Sequence, residues 1–530
     1  MQSVIPGLTR NPVIFPPGQR PSWAGGWVPA FAGMTSFVMI YVAAYNKFET
    51  RNWMGWNDMI EHLSPEKILK EALKEGGEFA DLFFEQTYSV VVVCEEDRIE
   101  KMISGQDIGV GLRVFFDGRT FYSFTNRLEE EDLLRLAGVV SRAVKEDRGE
   151  RIFNLLHQGK ATPSAHSVHS PRSPIEKHPR GIPVGEKVSM VNRANEVARK
   201  LDSRVRQVKV LYRDVSQSLS IANSEGLWIE GERVGTVFSV QVVASQEDII
   251  QTGYEPIGGT MGFEIFDLCP PERVAEIAAE RSLLMLSARK APMGRMAVVL
   301  SSDAGGTMIH EAIGHGLEAD LAQQGLSVYS KKIGEKVASS LITVVDDSKL
   351  SQKRGSYAFD DEGVVSQRTV LVEGGILKGY LYDRLTAFKD GVSSTGNGRR
   401  ESYQHKPVPR MSNTLILPGI TKPEEIIRSV EKGLFVKKMG GGQVNTVNGD
   451  FVFEVSEGYL IEKGNVGEPV RGAILIGNGP QVLKEIDLVG DDLGFGIGTC
   501  GKDGQGVPVA DAQPTLRIPE IVVGGREENP

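Results

Sequence analysis

Two histidines five positions apart place an unusual demand on the backbone of the segment GGTMIHEAIGHGLEAD, residues 305–320. An α-helix turns about 100° per residue, so His310 and His315 would point about 140° apart on an ideal helix and could not share one ion. One extra residue in the turn, a π-bulge, brings positions i and i+5 into line, and such bulges are frequent at functional sites. Gly314 and Gly316 flank His315 and lower the steric cost of a distorted turn. If the histidines bind one metal, the spacing predicts a bulged helix.

The same segment is rich in titratable groups for a stretch with so many apolar residues. Burying such groups is costly unless they bind something. The titratable residues of this segment are His310, Glu311, His315, Glu318 and Asp320. Glu311 directly follows the first histidine, as is required of a general base that acts beside a metal-bound water. The alternative interpretation is a helix that carries two ordinary histidines.

A catalytic zinc site needs a third protein ligand besides two histidines. Within the segment the candidates are Glu318 and Asp320. Farther along the chain they are His405, in SYQHKPVPRM, and Cys500, in GIGTCGKDGQGVP. Glycines close to Cys500 would allow a sharp turn that brings its thiolate to an ion, although such cysteines are also common in ordinary loops. The residues alone leave these four candidates open.

Charge and cysteine content exclude several classes of protein. The formal net charge is −9 over 530 residues, which argues against a nucleic-acid binder, because phosphate binding needs clustered Lys and Arg. Cys94, Cys269 and Cys500 are far apart in sequence, which does not fit a disulfide framework and favours a reducing cytoplasm. No apolar run reaches the roughly 18–20 residues that cross a bilayer, so we expect a cytoplasmic protein without a membrane span.

Shifts in composition and periodicity divide the chain into five parts. Residues 1–58, rich in Pro, Gly and Trp, lack helical and strand periodicity and are interpreted as a non-native or disordered leader. Mixed patterns predict an N-terminal α+β domain over 59–158 and a middle α+β region over 186–292. A proline-rich linker or loop over 159–185 separates them. Residues 293–530 are strand-rich and are predicted to form a β-rich C-terminal catalytic domain.

Turn signals predict two hairpin regions and one short helix in this last part. Gly374-Gly375 separates two β-favouring runs in VLVEGGILKGYLYD, and FVFEVSEGYLIEKGNVGEPVRGAILIGNG has a similar pattern. TKPEEIIRSVEKGL begins with Thr421 and has Glu424 three residues later, which predicts a helix that starts with a capping box. The patterns together predict the α+β class, with an N-terminal α+β domain followed by a β-rich domain that carries the metal-site helix.

Several blocks of the sequence resemble the TldD/PmbA family of bacterial and archaeal peptidases, also described as modulators of DNA gyrase. The blocks occur in order over about residues 78 to 525, and they are HEAIGHGLEAD, SSLITVVDD, FDDEG, GILKGYLYDRLTA, TGNGRRESY, PRMSNT, GGGQV, FVFEVSEGYLIE and CGKDGQGVPV. The PmbA-type subunit lacks the His-Glu-x-x-x-His motif. Its presence here makes the chain similar to the TldD-type metallopeptidase subunit.

The resemblance implies a zinc-dependent peptidase that acts on unfolded or small peptides. Carried over residue by residue, it implies a metal held by His310, His315 and Cys500, and Glu311 as the general base for a metal-activated water. Two histidines and a cysteine suit iron as well as zinc. The implied C-terminal domain contains a partly closed, barrel-like sheet. The implied assembly is a heterodimer with a PmbA-type (TldE-type) homologous subunit, and a homodimer is the alternative.

Four residues are candidates for contact with the substrate. GGGQV, residues 440–444, is interpreted as a glycine-rich loop whose Gly441 and Gly442 let a peptide approach as an added, extended strand. Arg410 would hold a peptide carboxylate or brace the fold. His405 would contact the transition state, hydrogen-bond to a metal ligand or have a purely structural role.

Two other functions stay open at this level. A non-catalytic regulatory module would bind peptides without hydrolysing them, but it would have no need of Glu311 beside His310. A metal amidohydrolase that is not a peptidase would use the same water chemistry, so the sequence does not separate it from a peptidase.

Overall fold

The computed structural model describes Trp56 and residues 60–148 and 175–525. The predicted leader, apart from Trp56, and residues 159–174 of the predicted linker lie outside the described residues. Trp56 is part of the folded region, because its indole N–H donates to Ser220 Oγ at 3.2 Å and its side chain packs against a core cluster.

A six-stranded antiparallel sheet contains the first six strands of the described chain. Its order is β3–β2–β1–β4–β5–β6. The strands are β1 (Phe79–Glu95), β2 (Arg98–Phe116), β3 (Arg119–Thr125), β4 (Val205–Asn223), β5 (Trp228–Gln246) and β6 (Ile249–Gly259). β1 pairs with β4 from Asp81↔Asn223 to Glu95↔Lys209. One sheet therefore combines strands of the predicted N-terminal domain with strands of the predicted middle region.

Helices cover one face of this sheet. They are α1 (Pro65–Ala72), α2 (Glu130–Arg148), α3 (Val184–Lys200), α4 (Ile265–Leu268) and α5 (Pro271–Ser287). Side chains alternate along a strand, so Leu82 and Phe84 of β1 join the core under α1 and α2, while Val90 and Val92 join the core under α3 and α5. Phe83 points to the opposite face and packs in a cluster with residues of the C-terminal part, Phe359 and Tyr403.

Five strands of the C-terminal part close into a barrel. Each pairs with the next in the order β15–β8–β22–β18–β16, and β16 pairs back with β15. They are β8 (Gly294–Leu300), β15 (Lys432–Val444), β16 (Asp450–Glu462), β18 (Ala473–Asn478) and β22 (Leu516–Gly525). β7 (Arg289–Lys290) and β17 (Asn465–Arg471) extend the sheet, and β19 (Leu488–Val489) pairs with β22. The predicted α+β class, its barrel-like sheet and the hairpin pairing in residues 451–479 are confirmed.

A second six-stranded sheet shares a hydrophobic core with the barrel. Its order is β11–β10–β9–β14–β21–β20, with β9 (Val344–Asp347), β10 (Arg368–Glu373), β11 (Ile376–Leu377), β14 (Asn413–Ile416), β20 (Gly494–Lys502) and β21 (Gln505–Gln513). The hairpin predicted at Gly374-Gly375 is confirmed, since Val372 pairs with Leu377 and both glycines have positive φ, 53° and 81°. β20, which carries Cys500, is an edge strand of this sheet.

Short elements complete the C-terminal part: α6 (Thr307–Ile309), α7 (Ala319–Gln323), α8 (Arg384–Asp390), α9 (Pro423–Arg428), α10 (Gly479–Glu485), β12 (Gly398–Arg399) and β13 (Val408–Pro409). The capping box predicted at Thr421 is wrong. Lys422 precedes α9 without a side-chain cap, and Pro423 occupies the first turn. The Thr421 backbone instead forms a β-bridge with Gly490. None of the described helices combines the length and apolar character that a bilayer span requires.

Candidate metal centre

The backbone between the two histidines is a π-helical turn over His310–Gly314. The His315 N–H donates to the His310 carbonyl, a step of five residues in place of the usual four. The turn brings the imidazole rings together, with centroids 4.9 Å apart and planes at 89°. The predicted bulged helix is therefore confirmed.

The glycines beside His315 are needed because neighbouring side chains pack closely against this turn, and not because the backbone there is distorted. Gly314 has ordinary helical φ and ψ values of −55° and −57°. A β-carbon at Gly314 would lie 2.1 Å from Met411 Sδ, and one at Gly316 would lie 2.7 Å from the Tyr329 ring. The expectation that these glycines relieve a distorted backbone is wrong, because close approach of neighbouring side chains is what requires them.

Two hydroxyl groups satisfy carbonyls of the widened turn and of the short turn that follows it. The Tyr329 hydroxyl donates to Ala312 O at 3.0 Å, and Tyr329 is buried. Ser327 Oγ donates to the carbonyl of Gly316. A π-bulge displaces carbonyls from their usual helical donors, and buried carbonyls need partners. These two side chains therefore stabilise the turn that carries the histidines.

Cys500, on edge strand β20, completes a group of three donor atoms. One donor atom from each of His310, His315 and Cys500 lies within 4.8 Å of the other two. Cys500 Sγ lies 3.5 Å from His315 Nε2. Two ligands of a tetrahedral zinc ion, with bonds of about 2.3 Å to sulfur and about 2.0–2.1 Å to nitrogen, are about 3.5 Å apart. The donor set and its spacing therefore fit a metal ion of this kind.

A carboxylate stands behind each histidine. His310 Nδ1 lies 3.0 Å from Asp511 Oδ1, and His315 Nδ1 lies 3.1 Å from Glu318 Oε2. The first pair is at ion-pair distance, although neither atom has a well-aligned hydrogen-bond partner among the described residues. Histidines that bind metals usually present one ring nitrogen to the ion and the other to a carboxylate, which fixes the ring. Glu318 thus lies behind His315, outside the three-residue donor group, and Asp511 is a site residue that the sequence prediction missed.

The three donors and their carboxylates shift one another's protonation. Burial would raise the pKa of the Cys500 thiol, but hydrogen bonds with His310 and His315 outweigh it and lower this pKa to about 5. Burial would lower the pKa of His315, but the charges of Glu318 and Cys500 raise it to about 10. The pKa of His310 is raised against burial in the same way, with Asp511 as the carboxylate. With these shifts the metal-free site holds a thiolate between two protonated imidazoles. The thiolate is the form in which cysteine binds metals, and the two imidazoles must release their protons to bind one.

Glu311 is a partly exposed residue of the π-helical turn. Burial raises the pKa of its carboxyl group, and the charges of His315 and His310 oppose this rise. A carboxyl group whose pKa moves towards neutrality is suited to accept and return a proton. Its place beside His310 is the one that the sequence predicts for a general base.

Arg410 and His405 lie outside the donor group. Arg410 is fully buried, and its guanidinium donates to the carbonyls of Cys500 and Gln505. The predicted contact with a peptide carboxylate does not fit this burial, whereas the alternative, bracing of the fold, does. His405 is half-buried, its Nδ1 lies 3.1 Å from Ser402 Oγ, and burial lowers its pKa. Neither His405 nor Asp320 belongs to the metal-binding group found among the described residues.

The glycine-rich segment 440–444 is the end of strand β15, so its interpretation as a loop is wrong. Gly441 and Gly442 are exposed, and the pairing with β16 shifts register between Met439 and Gly442. A β-carbon at Gly442 would lie 1.8 Å from the Phe453 ring, whereas one at Gly441 would meet nothing within 4 Å. β15 contacts the π-helical turn, so both glycines are on a strand that reaches the candidate metal centre.

The fold and the site together define an α+β protein with a candidate metal centre formed by two histidines and a cysteine. Three family models match the chain in succession: PmbA/TldA metallopeptidase domain 1 over residues 80–145, the central domain over 177–286 and the C-terminal domain over 293–525. The chain belongs to the PmbA/TldD family of metallopeptidases.

Two curated relatives are named as proteases. A metalloprotease TldD homolog of Haemophilus influenzae is 38% identical over 461 residues, which cover 84% of this chain and 93% of the relative. A zinc metalloprotease TldD homolog of Saccharolobus solfataricus is 27% identical over 87% of this chain and 99% of the relative.

Two solved structures share the fold. One is described as a modulator of a DNA gyrase from Thermotoga maritima, with a TM-score of 0.69 and 23% identity over 87% of this chain and 99% of that one. The other is TldE from Thermococcus kodakarensis, with a TM-score of 0.67 and 18% identity over the same shares of the two chains. At these identities the likeness concerns the fold alone.

Proposed function

We propose that this chain is a zinc-dependent peptidase of the TldD type that hydrolyses unfolded or small peptides in the cytoplasm. The observation that carries the proposal is the meeting of His310 and His315 with Cys500, which lies 185 positions after His315, while Glu311 stands in the same turn. The relatives named metalloproteases support the same chemistry.

The proposed roles follow from the position of each side chain in the site. A bound metal would supply Lewis acidity for the attacking water and the scissile carbonyl. Glu311 would take the proton from that water and deliver it to the leaving amine. Asp511 and Glu318 orient the two imidazoles through their Nδ1 atoms. Because a thiolate donates more charge than a third imidazole, we expect tight metal binding and a slow, selective processing enzyme.

Zinc is the proposed metal, and iron is the alternative. Two imidazoles and a thiolate suit both ions. A tetrahedral zinc site accounts for the distance of 3.5 Å between Cys500 Sγ and His315 Nε2. The relative named a zinc metalloprotease favours zinc.

The end of β15 offers an edge on which an extended peptide would lie. β15 pairs with β8 from Gly433 to Val436, and beyond Val436 its strand pairing among the described residues is with β16 alone. Residues 437–444 therefore keep one edge without a strand partner in the described structure, on a strand that contacts the π-helical turn. On β20, by contrast, Arg354 and Arg410 already bind the carbonyls of Gly498 and Cys500. We propose strand addition along β15, past Gly441 and Gly442.

The proposed partner is a homologous subunit of the TldE type, with a homodimer as the alternative. The likeness of the fold to TldE supports this proposal, because homologous subunits of one fold commonly assemble through related surfaces. Co-purification of this chain with a TldE-type chain, followed by sedimentation analysis of each alone and of the mixture, would test it.

The test of the activity combines metal content with peptide cleavage. We expect one zinc per chain and cleavage of unstructured peptides that stops on chelation and returns with zinc. Glu311→Gln should keep the metal and lower kcat by about 10²- to 10⁴-fold, the usual contribution of a general base. Glu424→Gln, an exposed change on α9, should alter neither property.

The alternative functions give other results in the same experiment. A Glu311→Gln variant with full peptidase activity would remove Glu311 from this role. If the chain is a regulatory binding module, the wild type and the Glu311→Gln variant would both bind peptides, and neither would cleave them. An amidohydrolase would cleave small amides in preference to peptides, so a panel of both substrate types separates these cases.

A further inference from the structure

Lys502 is a buried lysine close to the candidate metal centre. It stands two residues after Cys500 on β20, so the two side chains leave the same face of the sheet. Its side chain is 11% exposed, and its Nζ lies 2.7 Å from Asp320 Oδ1 and 3.1 Å from Glu318 Oε2. The same nitrogen donates to Pro409 O at 3.0 Å.

These contacts occupy all three N–H donors of the Lys502 ammonium group. A lysine ammonium has three N–H donors, and the three acceptors here are Asp320, Glu318 and Pro409. No donor remains for a substrate carbonyl or for proton transfer to a leaving group. The geometry therefore assigns Lys502 a structural task at the site and no direct part in the reaction.

The contact with Glu318 shows what that task is. Glu318 Oε2 lies within reach of both Lys502 Nζ and His315 Nδ1, each at 3.1 Å. A continuous path thus runs from strand β20, which carries Cys500, through Glu318 to the imidazole of His315. We infer that Lys502 is a positioning residue that ties the strand of the thiolate ligand to the carboxylate that orients an imidazole ligand. The inference rests on the proposed function, because that proposal makes Cys500 and His315 ligands of one metal.

The charge of the buried Arg410 also acts on Glu318, but the side-chain hydrogen bonds of Glu318 are with Lys502 and His315. Glu318 is fully buried, and its other oxygen, Oε1, has no hydrogen-bond partner among the described residues. Asp320 lies on the other side of the ammonium and would repel Glu318 without it. Removing Lys502 would therefore free the carboxylate to leave His315 and would loosen β20 from the turn. Both changes disturb the site before any substrate arrives.

The test measures metal binding and not only turnover. We expect Lys502→Met to weaken zinc binding by about 10- to 100-fold, the usual effect of losing a group that orients a ligand. In the cobalt-substituted protein, the sulfur-to-metal charge-transfer band should weaken or shift, because Cys500 is no longer held at a fixed distance from His315. Lys502→Gln keeps a hydrogen-bond donor without the charge, so its zinc affinity should lie between those of Lys502→Met and the wild type. If Lys502→Met fails to fold, Lys502→Gln is the variant on which the test is made.

A matched control separates this role from the general cost of losing a buried lysine. Lys187 is 1% exposed, and its Nζ lies 2.6 Å from Asp214 Oδ2 in the first sheet. Lys187→Met should lower the free energy of unfolding but leave zinc affinity and the cobalt spectrum unchanged. If Lys502→Met and Lys502→Gln bind zinc as tightly as Lys187→Met, with the wild-type cobalt spectrum, the inference is overturned.

A double-mutant cycle locates the effect in Glu318. If Lys502 acts through Glu318, the double variant Lys502→Met/Glu318→Gln should bind zinc about as weakly as Glu318→Gln alone. Fully additive losses would contradict this path. A wild-type protein that binds zinc but cleaves no peptide would overturn the proposed peptidase and leave the role of Lys502 standing, whereas a wild type that binds no zinc would overturn both.

Discussion

At the scale of single residues, the Tyr329 hydroxyl holds the turn on which the two histidines converge. We expect Tyr329→Phe to leave Ala312 O without its donor, which costs about 1–3 kcal/mol of unfolding free energy for a buried group. Because the carbonyl belongs to the π-helical turn, the turn should relax and zinc affinity should fall about tenfold. Urea unfolding of the metal-free protein and competition with a chromophoric chelator measure the two effects.

Tyr357 provides the matched control for this prediction. It is also a buried tyrosine, and its hydroxyl donates to Gly396 O at 2.7 Å, outside the histidine segment. Tyr357→Phe should cost a similar free energy of unfolding without a change in zinc affinity. Equal zinc affinities for the two variants would show that the Tyr329 hydroxyl does not shape the site.

The residues that the sequence predicts and those that it misses differ in how far along the chain their partners lie. His310, Glu311 and His315 form a local pattern, whereas Cys500 was one of four open candidates until the family resemblance singled it out. Asp511 was missed because its link to His310 depends on the pairing of β20 with β21. A signal for that pairing is present: Asp503-Gly504, with φ of 52° and 72°, is a two-residue hairpin turn. It places Cys500 opposite Val507, so that Asp511 lies on the same face.

At the scale of elements, local rules succeed where neighbouring residues decide the structure. The Gly374-Gly375 hairpin and the π-helical turn follow from turn chemistry and helical spacing, and both are present. The capping box at Thr421 fails because a long-range bridge to Gly490 holds that backbone extended. The segment 440–444 is a strand because β16 pairs with it, and glycine is required at Gly442 by the ring of Phe453.

The two glycines at the end of β15 should therefore respond differently to alanine. Gly442→Ala places a β-carbon against Phe453 and should cost about 1–3 kcal/mol of unfolding free energy, as overpacking usually does. Gly441→Ala points its methyl group into open space and should leave stability unchanged.

At the scale of the whole molecule, the sequence patterns predict the α+β class and the family resemblance implies the barrel-like sheet, but neither shows how the parts share their strands. Composition separated residues 59–158 from 186–292, yet β1 and β4 are neighbours in one sheet. Pairing of strands more than a hundred residues apart leaves no local signal, because either strand has the same alternation with any partner. The face of that sheet opposite its helices contacts the C-terminal part, and its charged residues include Arg113.

Arg113 links the first sheet to the C-terminal part through a buried ion-pair network. It is 1% exposed, and its guanidinium donates to Asp81 of β1 and to Glu362 Oε1 at 2.7 Å. Glu362, also fully buried, accepts from the backbone N–H of Arg384 at the start of α8. Arg113→Met would leave the buried Glu362 carboxylate without its arginine and Asp81 with Arg400 alone, at 4.0 Å. Breaking a buried pair in this way typically costs about 3–5 kcal/mol. Arg119→Met removes a half-exposed arginine of β3 that pairs with Asp147 of α2, within the first part of the chain, and should cost less than about 1 kcal/mol. Urea unfolding of the metal-free variants measures both losses, and equal losses would mean that the buried network does not join the two parts of the molecule.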